Sequence, residues 1–246
     1  MPPSVAVLIP ALNEAGSIAQ VVAGLPAGRV REVLVVDNGS TDGTAAAARA
    51  AGATVLSEPR RGYGRACWTG IGHLARGPAA PDILAFLDAD LSDDPAELPR
   101  LLEPLEAGRA DLVIGSRVLG GAEPGSLAPA QRFGNSLATF LIRLLYGRRY
   151  TDLGPFRAIR FPALLALGMR DRGFGWTVEM QALAVRAGLR VAEVPVRCRR
   201  RRAGRSKVSG TLGGTFHAGR VILWTILACR VRRPPRAAPA PGAGAG

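Results

Sequence analysis

The chain has 246 residues, 48% of them hydrophobic and 21% charged, a composition that excludes disorder as the main state and fits one or at most two folded domains. Cys67, Cys198 and Cys229 are odd in number, far apart and without a C-x-x-C pair, which argues against a disulfide framework or thiolate zinc site, and His73 and His217 are too few for a multi-histidine metal centre. A formal charge of +13 and a pI near 11.3 point to phosphate-bearing ligands, nucleic acid or an anionic membrane face as partners.

Met1 to Ser4 lead directly into an apolar run with no basic leader or cleavage site, so the protein is expected in the cytoplasm. The first half alternates short apolar runs with alanine-rich or amphipathic stretches, the pattern of βα units around a largely parallel sheet. Strands are expected at residues 5–9, 32–36, 54–56, 83–87 and 112–115, with helices at 17–25, 43–51, 64–75 and 95–106. Pro95 suits a first helical turn, and Asp93 and Asp94 suit the positive end of its dipole. Farther on, the pattern predicts a helix at 131–146, a strand near 156–161, a helix at 178–187, a strand at 190–196 and a helix at 212–231. The longest uncharged apolar run, 221–229, is nine residues, against the roughly 20 that a membrane-spanning helix needs. Residues 232–246 read as a disordered Pro/Ala/Gly tail after a single domain at 1–231. The fold class is therefore α/β, a mostly parallel sheet with a helical C-terminal elaboration. In open sheets of this kind ligands bind beyond the carboxyl ends of the strands.

Three segments follow such strand ends. The first is Pro10-Ala11-Leu12-Asn13-Glu14. The second, Asp37-Asn38-Gly39-Ser40-Thr41-Asp42-Gly43-Thr44, also reads as an ordinary turn and helix cap. The third is Asp88-Ala89-Asp90, where two carboxylates repel unless a cation sits between them; hard divalent ions take such oxygens together with substrate phosphates. Downstream come Gly115-Ser116-Arg117, then Arg132, and a run of arginines at 199–202 before Ala203-Gly204-Arg205-Ser206-Lys207. Lys207 is the single lysine beside 31 arginines, in a loop where an ammonium and a hydroxyl can meet phosphate oxygens. Asp152 and Glu179 are the remaining acidic candidates, each also explicable as a salt-bridge partner or helix-end charge. Cys67, Trp68 and His73 are assigned to the core. The stripe Leu137, Phe140, Leu141, Leu144 and Leu145 suits ordinary helix packing, although with Arg143 and Arg148 beside it the same stripe suits contact with an anionic membrane.

Together these segments resemble the family 2 glycosyltransferases with a GT-A (Rossmann-like, nucleotide-sugar-binding) fold. The features occur in family order, VLIPALNE, VVDNGSTDGT, FLDADLSDDP, GSR and GRSK, over about residues 5 to 214. Within that family the chain is most similar to dolichol- or polyprenyl-phosphate sugar synthases. The resemblance implies that Pro10, Leu12 and Glu14 border the nucleotide base and ribose, that Asp37 and Asn38 lie at the base, and that Asp88 and Asp90, with Ala89 between them, serve Mg²⁺ or Mn²⁺, the diphosphate and the sugar. It further implies that Arg202, Arg205, Ser206 and Lys207 close over the donor diphosphate and the acceptor phosphate. Asn38 stands where many relatives have Asp, and Ser92 where some have a metal-binding Gln.

The expected activity is inverting transfer of a sugar from a UDP- or GDP-sugar, with polyprenyl phosphate at the cytoplasmic membrane face as the favoured acceptor, because basic residues dominate the half that receives it. Asp90, Asp152, Arg202 and Lys207 are the catalytic candidates; Arg117, Arg132 and Glu179 join the substrate-binding set. A small soluble or alcohol acceptor is the alternative, and an alcohol needs a general base such as Asp152. Nucleic-acid binding accounts for +13 but leaves Asp88 and Asp90 unexplained, so no nucleic acid is expected. A dinucleotide-dependent oxidoreductase lacks its G-x-G-x-x-G after the first strand.

Overall fold

Apolar runs without a polar break make strands that are buried on both faces, the usual state of parallel sheets covered by helices. The computed structural model describes residues 2–123, 125–200 and 212–232, and only the backbone at 212–218. Its sheet contains β1 (Val5–Ala11), β2 (Glu32–Asp37), β3 (Thr54–Ser57), β4 (Ile83–Phe86), β5 (Leu112–Ser116), β6 (Arg157–Arg160) and β7 (Val191–Pro195), in the order β3-β2-β1-β4-β6-β5-β7. All neighbours are parallel except β6, which runs antiparallel to both β4 and β5. The largely parallel α/β reading therefore holds, with one reversed strand that the apolar pattern alone does not reveal. Ala11 pairs with Asp37 and Leu8 with Phe86, so β1, β2 and β4 deliver their following segments to the same edge of the sheet.

Alternate residues face opposite layers. Leu8, Leu34, Phe86 and Ile114 point toward α3 (Tyr63–Arg76), α6 (Pro129–Tyr146), α8 (Trp176–Arg186) and α9 (Leu212–Val231). Val7, Ile9, Val35 and Val113 point toward α1 (Ile18–Ala23), α2 (Thr44–Ala50) and α4 (Leu98–Glu106). Burying each such side chain stabilises by about 1.5–3 kcal/mol relative to leaving it exposed. α3 lies so close on β1 that a Cβ at Gly70 would fall 2.3 Å from Leu8 Cδ1, so a larger residue there would have to displace the buried Leu8 side chain.

Several local expectations are revised. The short helices α5 (Arg117–Gly120) and α7 (Phe161–Ala166) carry too few residues to show a period. A 3₁₀ turn at Pro95–Glu97 precedes α4; Asp94 caps it, accepting from the Ala96 N–H at 3.2 Å, whereas Asp93 is buried, not a helix-end charge. His73 is exposed, 3.9 Å from Glu32, not in the core. Cys67 is buried as expected, and Trp68 is half-buried with its ring edge-on to Trp176 at 5.6 Å. The α6 stripe divides: Leu137, Leu141 and Leu145 turn partly inward, while Phe140 and Leu144 face out. Arg232, expected in the tail, pairs with Glu179, and residues 233–246 lie outside the described residues. Among the described residues no helix is long and apolar enough to cross a membrane.

Candidate active site

The loops after β1 and β2 are stitched to each other. Asn13 adopts a left-handed φ of 53°, a conformation asparagine tolerates. Its Oδ1 accepts from the Thr41 N–H at 2.8 Å and its own N–H donates to Ser40 Oγ at 2.9 Å, while the Glu14 N–H donates to Thr44 Oγ1 at 2.8 Å. Asn38 is buried and uses both ends of its amide: Nδ2 donates to the carbonyls of Glu58 (2.9 Å) and Arg60 (2.8 Å), and Oδ1 accepts from the Gly62 N–H (2.8 Å). Gly62 has φ 144°, and a Cβ there would lie 2.3 Å from the Arg172 carbonyl oxygen, so the turn into α3 requires glycine.

The segment after β4 carries the charge. Asp88 is half-buried and its Oδ1 accepts from the Tyr63 hydroxyl at 3.2 Å. Burial, and then the nearby Asp88, push the Tyr63 phenol well above its ordinary value, so it remains a donor. The Ala89 carbonyl accepts from the Ser17 hydroxyl at 2.7 Å, and Asp90, 4% exposed, accepts from the Ser92 N–H at 2.9 Å. Between Asp90 and Ser92 lies Leu91 with φ 60°, a left-handed conformation that costs a residue with a Cβ on the order of 1–3 kcal/mol. Asp93 is buried, and neither of its oxygens has a hydrogen-bond partner among the described residues. Burial chiefly, with the charges of Asp88, Asp90 and Asp152 against the partial relief of Arg117, pushes its carboxyl up to about 8.

Asp152 is fully buried and bound to Arg117: its carboxylate accepts from Arg117 Nε and Nη2 at 2.8 Å each and from the Arg117 N–H at 2.9 Å. Bidentate pairing of this kind fixes the plane of the guanidinium. Arg157, also fully buried, donates from Nη2 to the Leu153 carbonyl at 3.0 Å and from Nη1 to the Thr177 carbonyl at 2.9 Å, tying the 152–154 turn to α8. Desolvation pulls its pKa down to about 10.

Two cavities meet here. One, about 480 Å³, lies over the ends of β1, β2 and β4 and is lined by Pro10, Leu12, Glu14, Asn38, Ala89 and Asp90, a size typical of small-molecule sites. The other, about 290 Å³, runs between α6 and α9 and is lined mainly by apolar groups including Leu127, Ala130, Leu153 and Ile222, together with Arg117 and Asn135. Tyr63, Asp88, Gln131 and Phe174 line both.

Most of the sequence-derived site residues thus come together, and several do not. Asp37 accepts from the Ser40 N–H at 3.0 Å, shaping the turn beside the first cavity without lining it. Arg132 is exposed on α6 and lines neither cavity. Glu179 is fully buried, accepts from the N–H groups of Arg170 and Asp171, and pairs with Arg232, a structural carboxylate rather than one presented to a ligand. Asp152 likewise spends its carboxylate on Arg117. Arg202, Arg205, Ser206 and Lys207 lie outside the described residues. Tyr63, Gln131 and Phe174 were not anticipated; the signal for Tyr63 was Arg61-Gly62-Tyr63-Gly64, an aromatic between glycines at a helix start.

Among the described residues there is no cluster of three or more His, Cys, Asp or Glu side chains arranged to hold a metal. The donor set nevertheless fits a hard divalent cation, since Asp88 and Asp90 offer carboxylate oxygens and the buried Asp93 beside them leaves both oxygens without a hydrogen-bond partner among the described residues. Asp88 and Asp90 would hold it, with the remaining positions left to substrate phosphates and water.

The sequence matches the family profile described as Glycosyl transferase family 2 over residues 6–168. An uncharacterized glycosyltransferase of Mycobacterium tuberculosis is 42% identical over 217 residues, 87% of this chain and 94% of that protein. An undecaprenyl-phosphate mannosyltransferase of Micrococcus luteus is 35% identical over 224 residues, 84% of this chain and 88% of that protein. Among solved structures, glucosyl-3-phosphoglycerate synthase from Mycobacterium tuberculosis, in complex with Mn²⁺, uridine diphosphate and phosphoglyceric acid, aligns with a TM-score of 0.73 at 27% identity, covering 94% of this chain and 80% of that one.

Two outcomes follow from the geometry. Asn38→Asp replaces an amide that donates to two carbonyls with an acceptor facing them, and should cost about 1–3 kcal/mol in denaturant melts; unchanged stability would contradict the assigned contacts. Asp93, with a folded pKa raised to about 8 against about 3.9 unfolded, contributes stability that is fully present below the unfolded value and lost as pH rises through the folded one. Asp93→Asn should therefore gain on the wild type as metal-free buffer goes from roughly pH 5 to pH 8, read as a widening difference in Tm; a constant difference would show that Asp93 is not held neutral.

Proposed function

The chain belongs to glycosyl transferase family 2 and is a glycosyltransferase, and from that premise we propose that it moves a sugar from a UDP- or GDP-sugar to a polyprenyl phosphate, with inversion at the anomeric carbon. The observation that carries this reading is the meeting at Asp88 of a strand-end cavity that holds the Asp88 and Asp90 carboxylates and a second, more apolar cavity between α6 and α9. The first suits a nucleotide sugar, its base and ribose toward Pro10, Leu12, Glu14 and Asn38 and its diphosphate toward Asp88 and Asp90. The second suits the first units of an isoprenoid chain, with the acceptor phosphate at the end that reaches Arg117.

In this arrangement an oxygen of the acceptor phosphate attacks the anomeric carbon on the face opposite the donor diphosphate, the carbon–oxygen bond to the diphosphate breaks, and the nucleoside diphosphate leaves. Tyr63 orients Asp88 for the donor. Arg117, held flat by Asp152, and Lys207 with Arg202 and Arg205 offset the repulsion between two phosphate groups. Mg²⁺ or Mn²⁺ bound by Asp88 and Asp90 would supply positive charge to the departing diphosphate. An anionic acceptor needs no deprotonation, which accords with an Asp152 carboxylate committed to Arg117. The undecaprenyl-phosphate acceptor named for the Micrococcus luteus relative supports the same reading. A small phosphorylated acceptor, suggested by the phosphoglyceric acid in the solved synthase, leaves the apolar lining of the second cavity without a role.

Transfer of radiolabelled sugar to polyprenyl phosphate should exceed transfer to 3-phosphoglycerate, and the reverse ranking would overturn the acceptor assignment. Asp88→Asn, Asp90→Asn and excess chelator should each abolish transfer while circular dichroism stays unchanged; full turnover in chelator would remove the metal. Losing a charge-assisted hydrogen bond costs roughly 1.5–3 kcal/mol and each 1.36 kcal/mol is about tenfold in rate, so Lys207→Ala should slow transfer by about ten- to a hundredfold or more. An undiminished Lys207→Ala rate would remove the phosphate clamp and place an alcohol acceptor in front.

A further inference from the structure

We propose that the outward faces of α6 and α9 form a docking surface for an anionic phospholipid bilayer. On α6, Phe133, Phe140 and Leu144 are 71%, 58% and 67% exposed, and on α9, Trp224, Leu227 and Val231 are 73%, 53% and 85% exposed. The spacings of seven and four residues on α6, and of three and four on α9, set each trio on one helical face. The opposite faces, with Ala138 and Ile142 on α6 and Ile226 and Cys229 on α9, are buried in the core. The two helices are neighbours: the Tyr146 hydroxyl donates to the Ile226 carbonyl.

Large apolar side chains exposed in this number are uncommon on a freely soluble surface and mark a partner. Charge selects which partner. Neither helix contains an Asp or Glu, and Arg132, Arg143, Arg220 and Arg230 stand exposed among the apolar groups, continued by Arg148 and Arg149 just past α6. Aromatic and aliphatic groups on one face with arginines beside them, on a chain of net charge +13, match the acyl boundary and anionic head groups of a bilayer. The same two helices wall the apolar cavity, through Ala130 and Gly134 on one side and Gly219 and Ile222 on the other. A bilayer against them would let a lipid enter that cavity while its tail stays in the membrane. Docking and acceptor identity are nonetheless separate properties, and each can fail without the other.

The test is co-sedimentation with phosphatidylglycerol vesicles and with phosphatidylcholine vesicles, both free of polyprenyl phosphate and donor. The full chain should pellet with the anionic vesicles and far less with the neutral ones. Phe140→Glu/Leu144→Glu and Trp224→Glu/Leu227→Glu should each lower partitioning by about tenfold or more, since two apolar side chains leave the acyl boundary and two negative charges face the lipid. Both variants should keep sugar transfer to detergent-dispersed polyprenyl phosphate, because none of the four residues lines either cavity. Trp224 is exposed where Trp68 is half-buried and Trp176 buried, so brominated phosphatidylglycerol should quench the unmodified protein's fluorescence without any substitution. Wild-type protein left in the supernatant at low salt, variants that bind as well as wild type, absent quenching, or a dimer in sedimentation equilibrium that these substitutions split would each overturn the docking surface. Transfer to detergent-dispersed polyprenyl phosphate that persists despite failed docking would leave the acceptor assignment standing.

Discussion

Like charges brought together out of water must be compensated or neutralised, and the carboxyl edge of this sheet brings together Asp88, Asp90, Asp93 and Asp152. Arg117 answers Asp152 with a bidentate pair. Asp93 is buried with neither oxygen hydrogen-bonded among the described residues, and it escapes the conflict by holding its proton up to about 8. A site that contains such a group is short of positive charge. A divalent cation and a nucleotide diphosphate bring charge of both signs together, and the proposed chemistry uses that shortage instead of suffering from it. The left-handed Leu91 beside Asp90 and the Tyr63 hydroxyl that donates to Asp88 restrain the two carboxylates on either side of Ala89.

The donor half of the site was largely legible in the sequence because strand ends are legible. Uninterrupted apolar runs terminate where polar residues begin, and in a parallel sheet those termini share one edge, so Pro10 to Glu14, Asn38 and Asp88 to Asp90 could be placed together without coordinates. The reversed direction of β6 was not legible, since a buried run reads the same in either direction. Nor does a carboxylate in sequence reveal its partner. Asp152 and Glu179 read as available and are spent on Arg117 and on the 170–171 backbone, whereas Asp93 reads as a helix-end charge and has no hydrogen-bond partner among the described residues. Tyr63 lies on a helix start whose glycines were visible but whose direction toward Asp88 depends on packing.

The second half of the site is defined by contrast with the first. The cavity over the strand ends sets Glu14, Asp88, Asp90 and the Asn38 amide among Pro10, Leu12 and Ala89, while the cavity between α6 and α9 is the more apolar of the two and includes Arg117. The proposed acceptor, with a phosphate head and an apolar tail, complements Arg117 and the aliphatic lining near it. One pair of helices, α6 between β5 and β6 and α9 after β7, then does two things, walling the more apolar cavity on its inner side and exposing Phe133, Phe140, Leu144, Trp224 and Leu227 on its outer one.

The shortage of positive charge at Asp88, Asp90 and Asp93 is tested most directly by calorimetric titration of uridine diphosphate and guanosine diphosphate into the protein, once with excess Mn²⁺ and once with chelator. The account predicts that one nucleotide binds well with Mn²⁺ and far more weakly without it, because neither the carboxylates nor the diphosphate can approach the other until a cation stands between them. Equal affinity of that nucleotide in chelator and in Mn²⁺ would contradict it.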